Sequence, residues 1–169
     1  MSNAIGTLFR IASFGESHGP SVGVIIDGCP AGLRLDMNEF RRDLDRRAPA
    51  AHPASTSRRE RDVVRVLSGV LNDVTTGAPL CMLVENTDVD SSTYADLVHT
   101  PRPGHADYPA YVKYGGLSDL RGGGRFSGRI TAGFVIAGTV AKALLEQIGV
   151  DVFAYTTSIG GVRAAECEP

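Results

Sequence analysis

The sequence predicts a mixed α+β chain, and three observations carry that reading. Residues 22–27 form a β-branched run closed by the turn residues Gly28, Cys29, Pro30, Ala31 and Gly32. Two further apolar runs, 63–71 and 79–85, flank the turn-forming segment 72–77, a hairpin pattern. A long apolar stretch, 132–148, carries alanine, leucine and valine at helical spacing, with Lys142 and Glu146 four residues apart.

Length and composition narrow the class. At 169 residues, 43% hydrophobic and 21% charged, the chain suits a single domain over 1–169 with a real core. A formal net charge of -2 argues against a general nucleic-acid or membrane-surface binder, because both need a basic excess, so any anion site must be a local cluster. Cys29, Cys81 and Cys167 are odd in number and lack C-x-x-C spacing, which indicates neither a disulfide framework nor a metal site. The first residues lack a basic segment followed by an apolar one, and no apolar run approaches the roughly 20 residues needed to span a bilayer. The expectation is a soluble cytoplasmic protein.

In chain order, residues 7–14 read as a short strand leading into Gly15-Glu16-Ser17-His18-Gly19. That pentapeptide matches the G-x-S-x-G nucleophile elbow, but an elbow joins strand to helix. Here Pro20, Gly23 and a β-branched run follow, so the turn joins strand to strand and the hydrolase reading lacks its context. His18 is a titratable ring between glycines, close to any ligand the turn holds; as a bare turn residue it has no task. Residues 36–47 begin with acids, place Met37, Phe40 and Leu44 on one face and end in arginines, an amphipathic helix. Residues 48–57, with Pro49 and Pro53, read as a mobile loop followed by Arg58, Arg59 and Arg61, a candidate phosphate-gripping lid. Residues 86–100 are polar and irregular, and Asp88, Asp90 and Asp96 lack calcium-loop spacing. Pro101, Pro103 and Gly104 then fix the backbone around Arg102 and His105, a rigid presentation of a cation and a titratable ring. Residues 108–114 lead to the glycine-rich stretch, and residues 152–158 read as a last strand.

The glycine-rich stretch is Arg121-Gly122-Gly123-Gly124-Arg125-Phe126-Ser127-Gly128-Arg129. Three glycines permit positive φ and close approach to the main chain, and a helix start near Ser127 or Gly128 adds a positive dipole end. With Arg121, Arg125 and Arg129 alongside, the segment suits a phosphate or a flavin; a glycine-rich turn with solvated arginines is the plain alternative. A P-loop would need a lysine and a hydroxyl after Gly128, where Arg129 and Ile130 stand, and a dinucleotide fingerprint would need glycine at Ser127.

Taken together, these segments are similar to a known family. Phe14 to Gly19, Asp43 to Arg47, Leu67 to Val70 with Thr75 to Gly77, Glu85 to Asp88, Arg102 to Asp107 and Arg121 to Arg129 occur in order, and the sequence resembles chorismate synthase over about residues 5–150. Family chains are about twice as long, so the resemblance implies an N-terminal portion, about half of a β-α-β sandwich in which antiparallel sheets enclose long helices. It implies a lyase of the shikimate pathway that eliminates phosphate from 5-enolpyruvylshikimate 3-phosphate, giving chorismate. The implied cofactor is reduced FMN, with NADPH as a candidate reductant, and the implied assembly is a homotetramer.

By the same resemblance His18 protonates the departing phosphate and His105 the reduced flavin, with Ser17 and Ser127 the hydroxyls nearest the chemistry. Arg125, Phe126 and Ser127 match the flavin-contacting segment, and Arg47, Arg102 and Arg129 the substrate-binding arginines. Ala48 stands where many members carry a third arginine, and Pro53 replaces an arginine associated with phosphate or NADPH. Gly128-Arg129-Ile130-Thr131 matches a glycine variant of the family segment. The alternative is a non-catalytic flavin- or phosphate-binding module.

Overall fold

The structure, a computed structural model, describes residues 3–49 and 61–165. The strands in chain order are β1 (Ala4–Ile5), β2 (Arg10–Gly15), β3 (Ser21–Asp27), β4 (Arg65–Ser68), β5 (Val70–Leu71), β6 (Val74–Thr75), β7 (Leu80–Glu85), β8 (Ser158–Ile159) and β9 (Val162–Arg163). The α-helices are α1 (Met37–Arg47), α2 (Asp107–Tyr114) and α3 (Thr131–Glu146). Five strands form one antiparallel sheet in the order β1-β2-β3-β7-β4, so the early strand pair and the later hairpin meet along β3 and β7.

Register follows the apolar pattern, because one face of the sheet is covered by helices. Ile11 pairs with Ile26 and Ser13 with Val24, while Val22, Val24 and Ile26 lie opposite Val84, Met82 and Leu80. The three β3 and three β7 residues are fully buried. Across them runs α3, with Ala132, Ile136 and Val140 at 0% exposure. Burying Ile136 and Val140 stabilises the fold by about 1.5–3 kcal/mol each. The approach of α3 needs Gly133, where a Cβ would lie 2.7 Å from the carbonyl oxygen of Gly23; on the opposite face of β3 a Cβ on Gly23 would lie 2.6 Å from Phe14 Cζ.

Helix α1 packs on α3 rather than on the sheet. Asp36 caps it, its carboxylate accepting from the Asn38 N–H at 2.8 Å, and Arg46 and Arg47 occupy its last turn, where the dipole favours cations. Phe40 and Leu44 are buried, whereas Met37 is half-exposed at the helix edge. Asp43 joins the helices, accepting from Thr139 Oγ1 at 2.8 Å and from Lys142 Nζ.

The structure alters several expectations. The turn expected over 72–77 is tighter: Asn72 and Asp73, with φ of 52° and 62°, close a small β5–β6 hairpin within the β4–β7 connection. Residues 108–114, read as a connection, form α2; Pro109 falls in its first turn, where a missing N–H is harmless, and Gly115 ends it at φ 62°. The strand expected over 152–158 does not form, and only Ser158–Ile159 pairs, with Val162–Arg163. Val152, Phe153 and Tyr155 are exposed there, so that run has no ladder or core to join among the described residues. Gly128–Glu146 is a continuous helical stretch of 19 residues, long and apolar enough by composition to cross a bilayer, contrary to the reading that no run reached that length. Its apolar side lies instead against the sheet and α1. Of the loop expected over 48–57, residues 50–57 lie outside the described residues, as do Arg58 and Arg59. The antiparallel sheet and its helical layer match the expected α+β class, and a second large sheet is not present among the described residues.

Candidate active site

One end of the sheet, where the β2–β3 turn meets the end of β7, gathers the chemistry-bearing residues. The β2–β3 turn, Gly15 to Ser21, carries Ser17 and His18, and the connection into α3 passes beside it, with the Ser17 N–H donating to the Gly124 carbonyl at 3.2 Å. Ser127 caps the 3₁₀ turn Gly128–Ile130 that opens α3: its Oγ accepts from the Arg129 N–H at 3.3 Å and donates to Ser17 Oγ at 3.1 Å. Ser17 is only 2% exposed, so the two hydroxyls form a sheltered pair.

The three glycines take φ values of 59°, 82° and 52°, all in the region that disfavours a side chain. A Cβ on Gly122 would lie 2.1 Å from His18 Cδ2, and one on Gly123 would lie 3.1 Å from His105 Nε2. The expected positive φ is present, but two of the spaces it opens are filled by imidazoles of the chain itself. His18 is further fixed by Ser91, whose Oγ lies 2.8 Å from Nδ1, and by Tyr94, whose ring meets the imidazole edge-on at 5.2 Å.

Arg102, His105 and Asp107 form a compact group. Asp107, at the start of α2, accepts from Arg102 Nε and a terminal nitrogen at 2.8 Å each and from the Arg102 backbone N–H at 3.0 Å. Its Oδ1 lies 2.9 Å from His105 Nδ1. Hydrogen bonding from Arg102 holds this buried carboxyl well below the usual carboxylate range. The Arg102 guanidinium lies over the Tyr94 ring at 5.6 Å, which ties this group back to His18.

A second charged group braces the other side. Arg129, 6% exposed, donates from Nε to Asn86 Oδ1 at 2.9 Å and from Nη2 to the Glu85 carbonyl at 3.0 Å, and pairs with Asp62. The same Asp62 carboxylate takes Arg47 at 2.8 Å, so one acid serves two arginines. Arg47 Nε is buried without a hydrogen-bond partner among the described residues. Asn86 Nδ2 donates to the carbonyls of Glu16 and Gly19 at 3.0 and 2.8 Å, linking Arg129 to the serine–histidine turn.

Of the arginines flanking the glycines, none is simply solvated. Arg121 is held by Asp119 at 2.8 and 2.9 Å, and Arg125 reaches β2, donating to the Ser13 and Gly15 carbonyls at 2.8 and 3.2 Å. Burial lowers the Arg125 pKa. Arg125 therefore braces the loop through its guanidinium, beside the half-buried Phe126. Ser17, His18, Ser127, Arg129, Arg47, Arg102 and His105 lie along one connected set of contacts. Sequence reasoning assigned no role to Asp62, Asn86, Ser91, Tyr94 or Asp107, although Asn86 and Asp107 sit within the segments that carried the resemblance. Among the described residues no three His, Cys, Asp or Glu side chains are grouped to hold a metal ion.

Comparisons with known proteins give the family of the chain. A family model described as chorismate synthase matches residues 9–168. A chorismate synthase of Dehalococcoides mccartyi is 51% identical over 164 residues, covering 97% of this chain and 45% of that protein. Chorismate synthases of Korarchaeum cryptofilum and Thermococcus kodakarensis are 54% and 52% identical, each covering 94% of this chain and 44% of theirs. A solved chorismate synthase structure superposes with a TM-score of 0.68 at 29% identity, over 94% of this chain and 40% of that one. The chain thus spans under half the length of these relatives. With the match running from β2 to beyond β9 and through every segment of the site, the chain belongs to the chorismate synthase family.

Proposed function

We propose that this chain supplies the proton-donating half of a chorismate synthase active site, a carbon–oxygen lyase acting on 5-enolpyruvylshikimate 3-phosphate. The observation that carries the reading is the convergence of Ser17, His18, His105 and Ser127 on one glycine loop, in a chain of this family. The residues fit anionic ligands on the structure's own terms. Arg47 keeps a buried Nε without a partner among the described residues, and Arg47 and Arg129 converge on the Asp62 carboxylate, which gathers two guanidiniums at the site. The capped start of α3 adds a positive dipole end beside the open space at Gly128.

Phe126, Ser127 and the backbone at Arg125 would hold reduced FMN at the loop. When bound, reduced FMN supplies an electron donor that the overall elimination returns. The chain's own groups then divide the remaining work. His18, its ring fixed by Ser91 and Tyr94, gives a proton to the departing phosphate oxygen. His105, whose Nε2 lies at the loop beside Gly123, exchanges the proton that sets the protonation state of the bound flavin. The Ser17–Ser127 hydroxyl pair stands between the histidine turn and the helix start, placed to relay or donate a hydrogen bond. Arg47 and Arg129 hold phosphate and carboxylate groups, and Arg102, gripped by Asp107, completes the positive wall. We also propose NADPH as the source of reducing equivalents, a cytoplasmic location and a homotetrameric assembly, following the family resemblance.

The test is a spectral titration with oxidised FMN, without and then with 5-enolpyruvylshikimate 3-phosphate, followed by anaerobic assay of chorismate. A flavin band shift that tightens with substrate, and chorismate formation, are the expected results. Binding without turnover would favour the non-catalytic module. No shift at any concentration would sink the proposal for this chain.

A further inference from the structure

The group around Asp107 contains more order than holding Arg102 requires. Its Oδ2 takes both the backbone N–H and the Nε of Arg102, and its Oδ1 takes the terminal nitrogen at 2.8 Å. The same Oδ1 faces His105 Nδ1 at 2.9 Å, with the carboxylate side chain 2% exposed. An ionised carboxylate only accepts hydrogen bonds, so an unprotonated Nδ1 at that distance would set lone pair against lone pair. The Arg102 terminal nitrogen is also 3.2 Å from Nδ1, but its shorter contact is to the carboxylate. The arrangement is satisfied when Nδ1 carries the proton. The other ring nitrogen, Nε2, then lies against the glycine loop, 3.1 Å from where a Cβ on Gly123 would sit.

We infer that Asp107 is a positioning residue that holds His105 in its Nδ1–H tautomer, so that Nε2 is the nitrogen exchanging a proton at the glycine loop. The functional part of this rests on the reading of His105 as the group that sets the flavin's protonation state; the tautomer itself does not. Asp107 acts through His105, and its replacement by asparagine, which keeps an oxygen for two of the three Arg102 hydrogen bonds, is expected to misdirect the proton while leaving Arg102 in place.

Substitution by asparagine distinguishes this from simple bracing. In Asp107→Asn the single oxygen is drawn to the Oδ2 position, where two Arg102 N–H groups converge. The amide NH₂ then faces His105 Nδ1, which must accept, and the ring proton moves to Nε2. The experiment is long-range proton–nitrogen NMR of the ¹⁵N-histidine-labelled 169-residue chain at about pH 8, where free imidazole is neutral. Loss of one signal set in His105→Gln assigns the resonances. The wild-type protein should show His105 as Nδ1–H, Asp107→Asn as Nε2–H, and Asp107→Glu should return the ring to Nδ1–H. A wild-type Nε2–H ring, or an asparagine variant that keeps Nδ1–H, overturns the inference. The wild-type spectrum decides even if the asparagine variant fails to fold. In turnover, Asp107→Asn should lower kcat by about 10²-fold or more, the usual worth of a placed proton donor, with KM within about threefold. Absence of flavin binding or turnover in the wild type would remove the proposed activity while leaving the tautomer result standing.

Discussion

Gly133 and Gly138 lie five residues apart on α3, and their substitution by alanine should move stability in opposite directions. Alanine is favoured over glycine in a helix by about 1 kcal/mol, and at Gly138 nothing lies within 4 Å of the added methyl. That variant should therefore gain about 1 kcal/mol. At Gly133 the new Cβ would sit 2.7 Å from the Gly23 carbonyl oxygen, where ordinary contact begins at 3.4 Å. The helix or the strand must then move by about 0.7 Å, the gap between those two distances. Gly23 cannot yield easily, because β3 is bonded on both sides, to β2 and β7. Overpacking of this kind costs about 1–3 kcal/mol, and a rigid backbone obstacle places it near the upper end. After the propensity gain, a net loss of about 2 kcal/mol remains. For a chain of this size each kcal/mol shifts Tm by about 2–4 °C, giving a fall of about 4–8 °C for Gly133→Ala and a rise of about 2–4 °C for Gly138→Ala. Differential scanning calorimetry reads both. Equal rises in the two variants would refute the close contact between α3 and β3, and with it the placement of the α3 start against the histidine turn.

Three other outcomes follow from the site. Gly122→Ala, which would force φ 59° on alanine and drive a methyl into the His18 ring, should abolish the flavin-dependent response and lower any turnover by about 10²–10⁴, read by anaerobic chorismate assay. Asp62→Ala removes the carboxylate that Arg47 and Arg129 share, and should lower unfolding stability by about 3–5 kcal/mol in urea titration; an unchanged midpoint would mean that Asp62 does not neutralise them. Asp107 and Asp43 both have carboxyl pKa values lowered in the fold, Asp107 by hydrogen bonding from Arg102, and Asp43 because its bonds to Lys142 and Thr139 outweigh desolvation. Such depressed groups stabilise the protein above their unfolded value of about 3.9, and that stability is lost as pH falls through their folded values. Urea midpoints should drop on acidification below about pH 4, and Asp107→Asn should flatten that slope.

Much of this architecture is legible in the sequence where the signal is local. The β-branched run over β3 and the apolar run over β7 mark both strands, Asp36 marks the start of α1, and Ser127 marks the turn that opens α3. Helix α2 was missed because its tyrosines and Pro109 show no apolar period, although Gly115 was a readable stop signal. The run over 152–158 has strand composition but no pairing partner, a property of the surroundings that composition does not carry. At the site, the chemistry-bearing residues were legible from residue type and rigid turns. Their supports were not, because Asp62 and Asn86 meet Arg129 across 67 and 43 residues of sequence, and Ser91 meets His18 across 73. Pairings of that range are specified by the antiparallel sheet, which brings the end of β7 beside the β2–β3 turn, rather than by any spacing in the chain.

The glycine loop also sets a mechanical relation between the two imidazoles. His18 rests against Gly122 and His105 against Gly123, so a single planar peptide unit lies between the two supports. Its Cα atoms are about 3.8 Å apart, and that length does not stretch. A tilt of this peptide is therefore felt at both imidazoles, which share one support.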